Sequence, residues 1–207
     1  MNKFRTLSLG VLVGAAAASQ ALVLQLDTVY TGTTPVGPAP WITVTITDVA
    51  LNTINLRVDH NVGGPSNQYL ADLFLNLNPF VASATLSNEV NSNKRAGAPV
   101  FALNGVNGAA GNQFDLGIAF EQSNSGGGVN RLKPGEFWSA DFTATGLSTA
   151  NFLDVSNQGL YAGAHIRGIQ NQFSGHVGTN TVVPEPGTMA ALALGGLALH
   201  RKRRQGA

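Results

Sequence analysis

Two glutamates flank a glycine-rich run in this chain: Glu121 precedes and Glu136 follows the stretch SNSGGGVNR. Glycoside hydrolysis needs two carboxylates facing one another across a sugar, one of them with a raised pKa. If the strands ending in these residues pair, the two acids could approach each other. Acids at strand ends beside exposed loops are ordinarily just solvated, so a secreted carbohydrate-active hydrolase using loop carboxylates stands as the alternative reading. Nucleophilic chemistry is no better supplied. Ser139 and Ser174 have His165 and His176 as conceivable partners, but there is no GxSxG elbow to raise a serine above a sheet. The chain is read as non-catalytic.

Metal chemistry can be weighed in the same way. His60, His165 and His176 are the histidines between the two apolar ends, and their wide spacing is not a local zinc motif. The absence of cysteine excludes thiolate sites. Asp59, Asp72, Asn76, Asn78, Asp115 and Asp141 supply oxygen donors that suit calcium, without the DxDxDG spacing of a dedicated loop. No cofactor is expected, and calcium is the ion to consider. Carbohydrate contact needs aromatic platforms and short polar groups, for which Trp41, Tyr69, Trp138 and Tyr161 are available. Trp138 is in phase with Phe142 and reads as core. Tyr161, His165 and Arg167 share one strand phase and form the candidate surface patch.

The elements that would position these residues follow a period of two. In WITVTITDV, Ile42, Val44 and Ile46 alternate with Thr43, Thr45 and Thr47, and Ile54, Leu56 and Val58 alternate with Asn55, Arg57 and Asp59. The two runs read as a hairpin. Further strands are expected at 22–30, 70–77, 114–120, 137–145 and 161–169, with Phe114, Leu116, Ile118 and Phe120 on one face. Seven short strands between Gly, Asn, Ser and Pro predict an all-β, antiparallel, jelly-roll-like sandwich, with a closed barrel as the alternative. The Asn- and Gly-rich stretches 79–113 and 121–134 read as long connections.

The ends differ from the middle. Of twelve Lys and Arg, six lie at the termini; between Leu22 and Val183 six cations face ten acids, a net of −4. A mildly acidic middle argues against nucleic acid as a partner. Lys3 and Arg5, an apolar stretch from Leu7 to Ala18 and the small residues Ser19 and Ala21 have the layout of a secretory signal, residues 1–21, cleaved before Leu22. A β domain at 22–181 follows, then a tail at 182–207. In the tail, Pro184-Glu185-Pro186 cannot continue a sheet. The apolar run ending at Leu199 would reach about 20 Å as a helix, against about 30 Å of hydrocarbon, a marginal membrane span. Arg201, Lys202, Arg203 and Arg204 would hold the cytoplasmic side.

The order VPEPGT, apolar run with a glycine pair, then RKRR, behind a signal peptide, resembles the PEP-CTERM proteins of Gram-negative bacteria. That resemblance implies recognition by an exosortase-type processing enzyme in the inner membrane, processing near Pro184-Glu185-Pro186, and delivery to the cell surface or extracellular matrix. The stretches WITVTITDVALNTINLRVD, LFLNLNP, YAGAHIRGI and SGHVG resemble one recurrent passenger type of the same group. They imply an exported, matrix-associated β domain with no catalytic residue set to carry over; contact with exopolysaccharide is the non-catalytic role expected of it.

Overall fold

The computed structural model describes residues 21–65, 67–170 and 172–183. The expected signal helix and the short hydrophobic helix of the tail lie outside them. Among the described residues eleven strands are formed: β1 (Ala21–Leu26), β2 (Thr28–Gly32), β3 (Ile42–Ala50), β4 (Thr53–His60), β5 (Tyr69–Leu75), β6 (Thr85–Val90), β7 (Val100–Asn107), β8 (Gln113–Ala119), β9 (Phe137–Thr143), β10 (Ala162–Ile169) and β11 (Phe173–Thr179). They make two antiparallel sheets, sheet A in the order β1-β3-β4-β9-β6 and sheet B in the order β2-β11-β10-β5-β8-β7. Among the described residues the fold is therefore an all-β sandwich of two separate sheets, not a closed barrel. Only β3–β4, β7–β8 and β10–β11 are consecutive within one sheet; every other connection crosses to the opposite layer.

The alternation read from the sequence is what fills the space between the layers. Leu22, Leu24 and Leu26 of β1, Ile42, Val44 and Ile46 of β3, and Ile54, Leu56 and Val58 of β4 turn inward from sheet A. Leu73, Leu75, Ala162, Ala164, Ile166 and Val177 meet them from sheet B. Each such aliphatic side chain larger than alanine contributes about 1.5–3 kcal/mol when fully buried. Trp138 sits at the centre, edge-on to Phe120 at 5.8 Å and to Phe142 at 6.3 Å. Its indole N–H donates to Glu89 Oε1 at 2.8 Å, so the buried ring leaves no polar atom unpaired. Glu89 is itself clamped by Arg95 at 2.6 Å, and that guanidinium, with the Trp138 N–H, holds its carboxyl below the usual range.

Four sequence expectations are corrected. The strand expected at 22–30 is two strands, because the leucines face inward at even positions whereas Val29 is odd; the phase slips at Asp27, and β2 joins the opposite sheet. The stretch expected as a connection at 79–113 contains β6 and β7, the outermost strands of sheets A and B. Both carry a register shift and an asparagine at positive φ, Asn88 at 49° and Asn104 at 48°, so neither shows clean alternation. β11, rich in glycine, was also absent from the seven. Finally, Leu116, Ile118 and Phe120 enter the core but Phe114 does not. Asp115 is buried between Phe114 and Leu116, accepting from the amides of Leu77 at 2.9 Å and Asn104 at 2.6 Å, and the alternation breaks there.

Phe114 instead stacks on Phe74 (centroids 5.6 Å apart) on the outer side of sheet B, where Tyr30 donates to Gly108 O at 2.6 Å. This second, smaller cluster exists because β10 has no side chain at Gly163. A Cβ there would lie 2.9 Å from Tyr30 Oη and 3.0 Å from Phe114 Cζ. Gly163→Ala is expected to lower unfolding free energy by about 1–3 kcal/mol, the usual cost of overpacking. A chemical-denaturation midpoint equal to that of the unaltered protein would contradict this packing.

Candidate functional site on the outer face of sheet B

The outer side of β10 carries two of the three residues of the expected patch. His165 is opposite His176 of β11 on one side and Asp72 of β5 on the other. The two imidazoles stack face to face, 4.2 Å between centroids and 3° from parallel. Asp72 Oδ2 lies 3.2 Å from His165 Nδ1, and Tyr30 closes the row 5.8 Å from His176. A polar row of three rings and one carboxylate thus crosses four neighbouring strands. Burial, and then the charge that His165 can carry, press the His176 pKa down to about 4. Tyr161 does not belong to this row; it precedes β10 at the end away from Arg167 and packs against the core.

Arg167 lies two residues beyond His165 and meets a loop that the sequence left as a plain connection. The glycine-rich loop is fixed by Lys94, which is buried after a short turn at Ser92–Lys94. Its ammonium donates to Val129 O and Arg131 O, each at 3.0 Å, and to Glu136 Oε2 at 2.7 Å, so three donors meet three acceptors. Glu136 also accepts the Lys133 amide at 2.8 Å. Glu136 Oε2 thus accepts from both an ammonium and an amide, which gives this carboxylate a fastening role. Glu121 joins the same knot through its backbone, donating to Lys94 O at 2.7 Å.

Held this way, the loop delivers Arg131 to Arg167. Arg131 lies over the Tyr69 ring at 4.2 Å and donates twice to Gln122 O, at 3.0 and 2.7 Å. Arg167 donates to the side-chain oxygen of the same Gln122. The two guanidinium groups line a cleft of about 360 Å³ with Tyr69, Asn67, Asn124 and Gln172.

The other sequence candidates are dispersed. Asp59 takes a two-point contact from Arg57, Asp141 accepts from Asn55 and Asn88, Asn76 donates to Leu160 O, and the amide of Asn78 donates to Asn151 O. With Asp72 on His165 and Asp115 between Leu77 and Asn104, the six oxygen donors face six different settings. Among the described residues no three of His, Asp or Glu gather where they could hold a metal. His60 is buried in sheet A, remote in role from the His165–His176 pair: its Nδ1 bonds Leu132 O at 2.9 Å. Trp41 is buried and donates to Gly37 O at 3.0 Å. Arg131, Lys94 and the His165–His176 pairing were not found by sequence reasoning. The last would have followed from reading YAGAHIRGI and SGHVG as one hairpin; the first two depend on tertiary placement alone.

At the far edge of sheet A, Val183 pairs with Val23 of β1, donating to its carbonyl at 3.1 Å. This is where the tail departs. Residues 182–204 match the PEP-CTERM protein-sorting motif. The chain thus carries a sorting signal for export, one that implies an exosortase-type processing partner. Pro184, Glu185 and Pro186, with Arg201, Lys202, Arg203 and Arg204, fall within the matched segment and outside the described residues. No curated protein matches the chain, and no solved structure does.

His60 gives the site a pH dependence, because it fastens the loop to β4. Burial pushes its pKa down to about 4, outweighing the Leu132 hydrogen bond and the Glu136 charge. The folded state thus resists a proton that the unfolded chain accepts below about pH 6.5. Stability from this group is complete above pH 6.5 and is lost as pH falls to about 4, by about 3 kcal/mol. His176 acts in the same direction. His60→Gln is expected to flatten the dependence across this window in denaturation curves; an unchanged slope would contradict it.

Proposed function

We propose that this is a non-catalytic surface or matrix protein whose β domain contacts exopolysaccharide after its tail has been processed. The observation that carries the reading is the junction at Val183. The last described contact of the sandwich falls one residue before Pro184, so a cut near Pro184-Glu185-Pro186 removes no hydrogen bond of the described fold. A domain built this way can be released or transferred without losing part of its sheet.

The same junction supports transit through the inner membrane. Val183 is opposite Val23, two residues into β1, so the chain enters and leaves the sandwich at one corner. A secretory signal at 1–21 and an apolar segment after Gly187 would then tether the domain from one side. Removal of the signal before Leu22 and of the tail by an exosortase-type enzyme would place the domain at the cell surface or in the extracellular matrix. The polar outer faces support contact with a hydrated polymer: Thr43, Thr45, Asn55 and Arg57 on sheet A, and the His165–Arg167 side of sheet B.

The tail and the domain should behave independently. Glu185→Ala is expected to leave the sandwich folded and to accumulate an uncut, cell-associated form in place of the processed one. Intact mass in the surface fraction, compared with the unaltered protein, checks this. Processing to the same mass would defeat the proposed use of the motif.

A further inference from the structure

Six cations lie between Leu22 and Val183, and they divide into two groups. Arg57, Lys94 and Arg95 sit on Asp59, Glu136 and Glu89 at 2.6–2.7 Å. Among the described residues Arg131, Lys133 and Arg167 have no carboxylate within ion-pairing distance, and two of these three line one cleft. None of the residues lining that cleft is acidic, although the domain as a whole is. Like charges held close repel unless an anion lies between them. Here Gln122 holds both guanidinium groups through a backbone and a side-chain oxygen, neutral acceptors that orient them without cancelling their charge.

The rest of the lining narrows the anion. Asn124 and Gln172 present amides, each able both to donate and to accept, and Asn67 lines the cleft while donating to Gly168 O at 3.1 Å. Hydroxyl groups have the same dual capacity. Arginine's planar fork matches a carboxylate through two parallel hydrogen bonds. Amides beside a pair of guanidinium groups suit an anion that is also polyhydroxylated. The Tyr69 face is already covered by Arg131, so the cleft does not offer the bare aromatic platform that a neutral sugar would favour.

We infer that the cleft between Arg131 and Arg167 binds a carboxylated saccharide, a uronate unit of an acidic polysaccharide. This deepens the exopolysaccharide reading and rests on it. The three-point Lys94 knot is the device that brings Arg131 to the site, and β10 supplies Arg167 on a rigid strand.

The test uses the full chain in mild detergent, with affinity measured at low salt for polygalacturonate, fully methyl-esterified polygalacturonate and neutral dextran. Polygalacturonate should bind at least about tenfold more tightly than either neutral polymer, and added salt should weaken it. Arg167→Gln, at an exposed position, should reduce polygalacturonate affinity by about tenfold or more. Because Arg131 also packs on Tyr69, Arg131→Lys is the companion variant; it keeps the charge, loses the fork, and should weaken binding with little change in thermal midpoint. Equal affinity for the methyl ester would overturn the uronate assignment and leave the exopolysaccharide reading standing. Polygalacturonate binding indifferent to Arg167→Gln would overturn the cleft as its site. Binding to none of the three polymers would overturn both.

Discussion

Everything in this molecule rests on two sheets hiding one face each against the other. The period-two pattern forces each core strand to send alternate side chains inward, and Trp138 with its phenylalanine neighbours fills the middle where the layers are joined. Without cysteine, no disulfide can substitute for this packing. Polar demands created by the burial are met internally: among the described residues no buried side-chain nitrogen or oxygen lacks a partner.

Once the inner faces are spent on stability, the outer faces are free for other work. On sheet B that freedom produces the Asp72–His165–His176 row and, beside it, the arginine cleft. Neither is built by a loop alone. The glycine-rich segment takes its shape from a lysine buried at its base, whose three donors are matched by two carbonyls and a carboxylate. Breaking such a set leaves a buried charge or carbonyls without partners, which costs more than the contact is worth when made. A flexible-looking composition is thereby compatible with a fixed site.

What could be read in the sequence was what repeats locally. Alternation at Ile42–Ile46 and Ile54–Val58 gave the hairpin of β3 and β4, and the inward phase of Trp138 with Phe142 gave the centre of the core. Edge strands resisted because bulges at Ser87–Val90 and Phe101–Val106 destroy the period. β11 resisted because close backbone approach requires glycines where a strand normally shows branched residues; a Cβ on Gly178 would sit 2.9 Å from Ala162 O. For the site, His165 and Arg167 were legible as one face of one strand. Tyr161 was not excludable, since the phase that places it with them ends where the strand begins. Arg131 and Lys94 act through contacts 37 and 42 positions apart in the chain, which no local pattern encodes. The sorting motif is the opposite case, wholly local and wholly legible.

The central claim is that both termini are addresses and that the sandwich between them is what works outside the cytoplasm. Intact-mass analysis of the protein recovered from its host's surface or matrix fraction tests it most directly. The account expects a chain beginning near Leu22 and ending close to Pro184-Glu185-Pro186. A full 207-residue chain recovered from the cytosol, with Met1 and Ala207 both present, would contradict it.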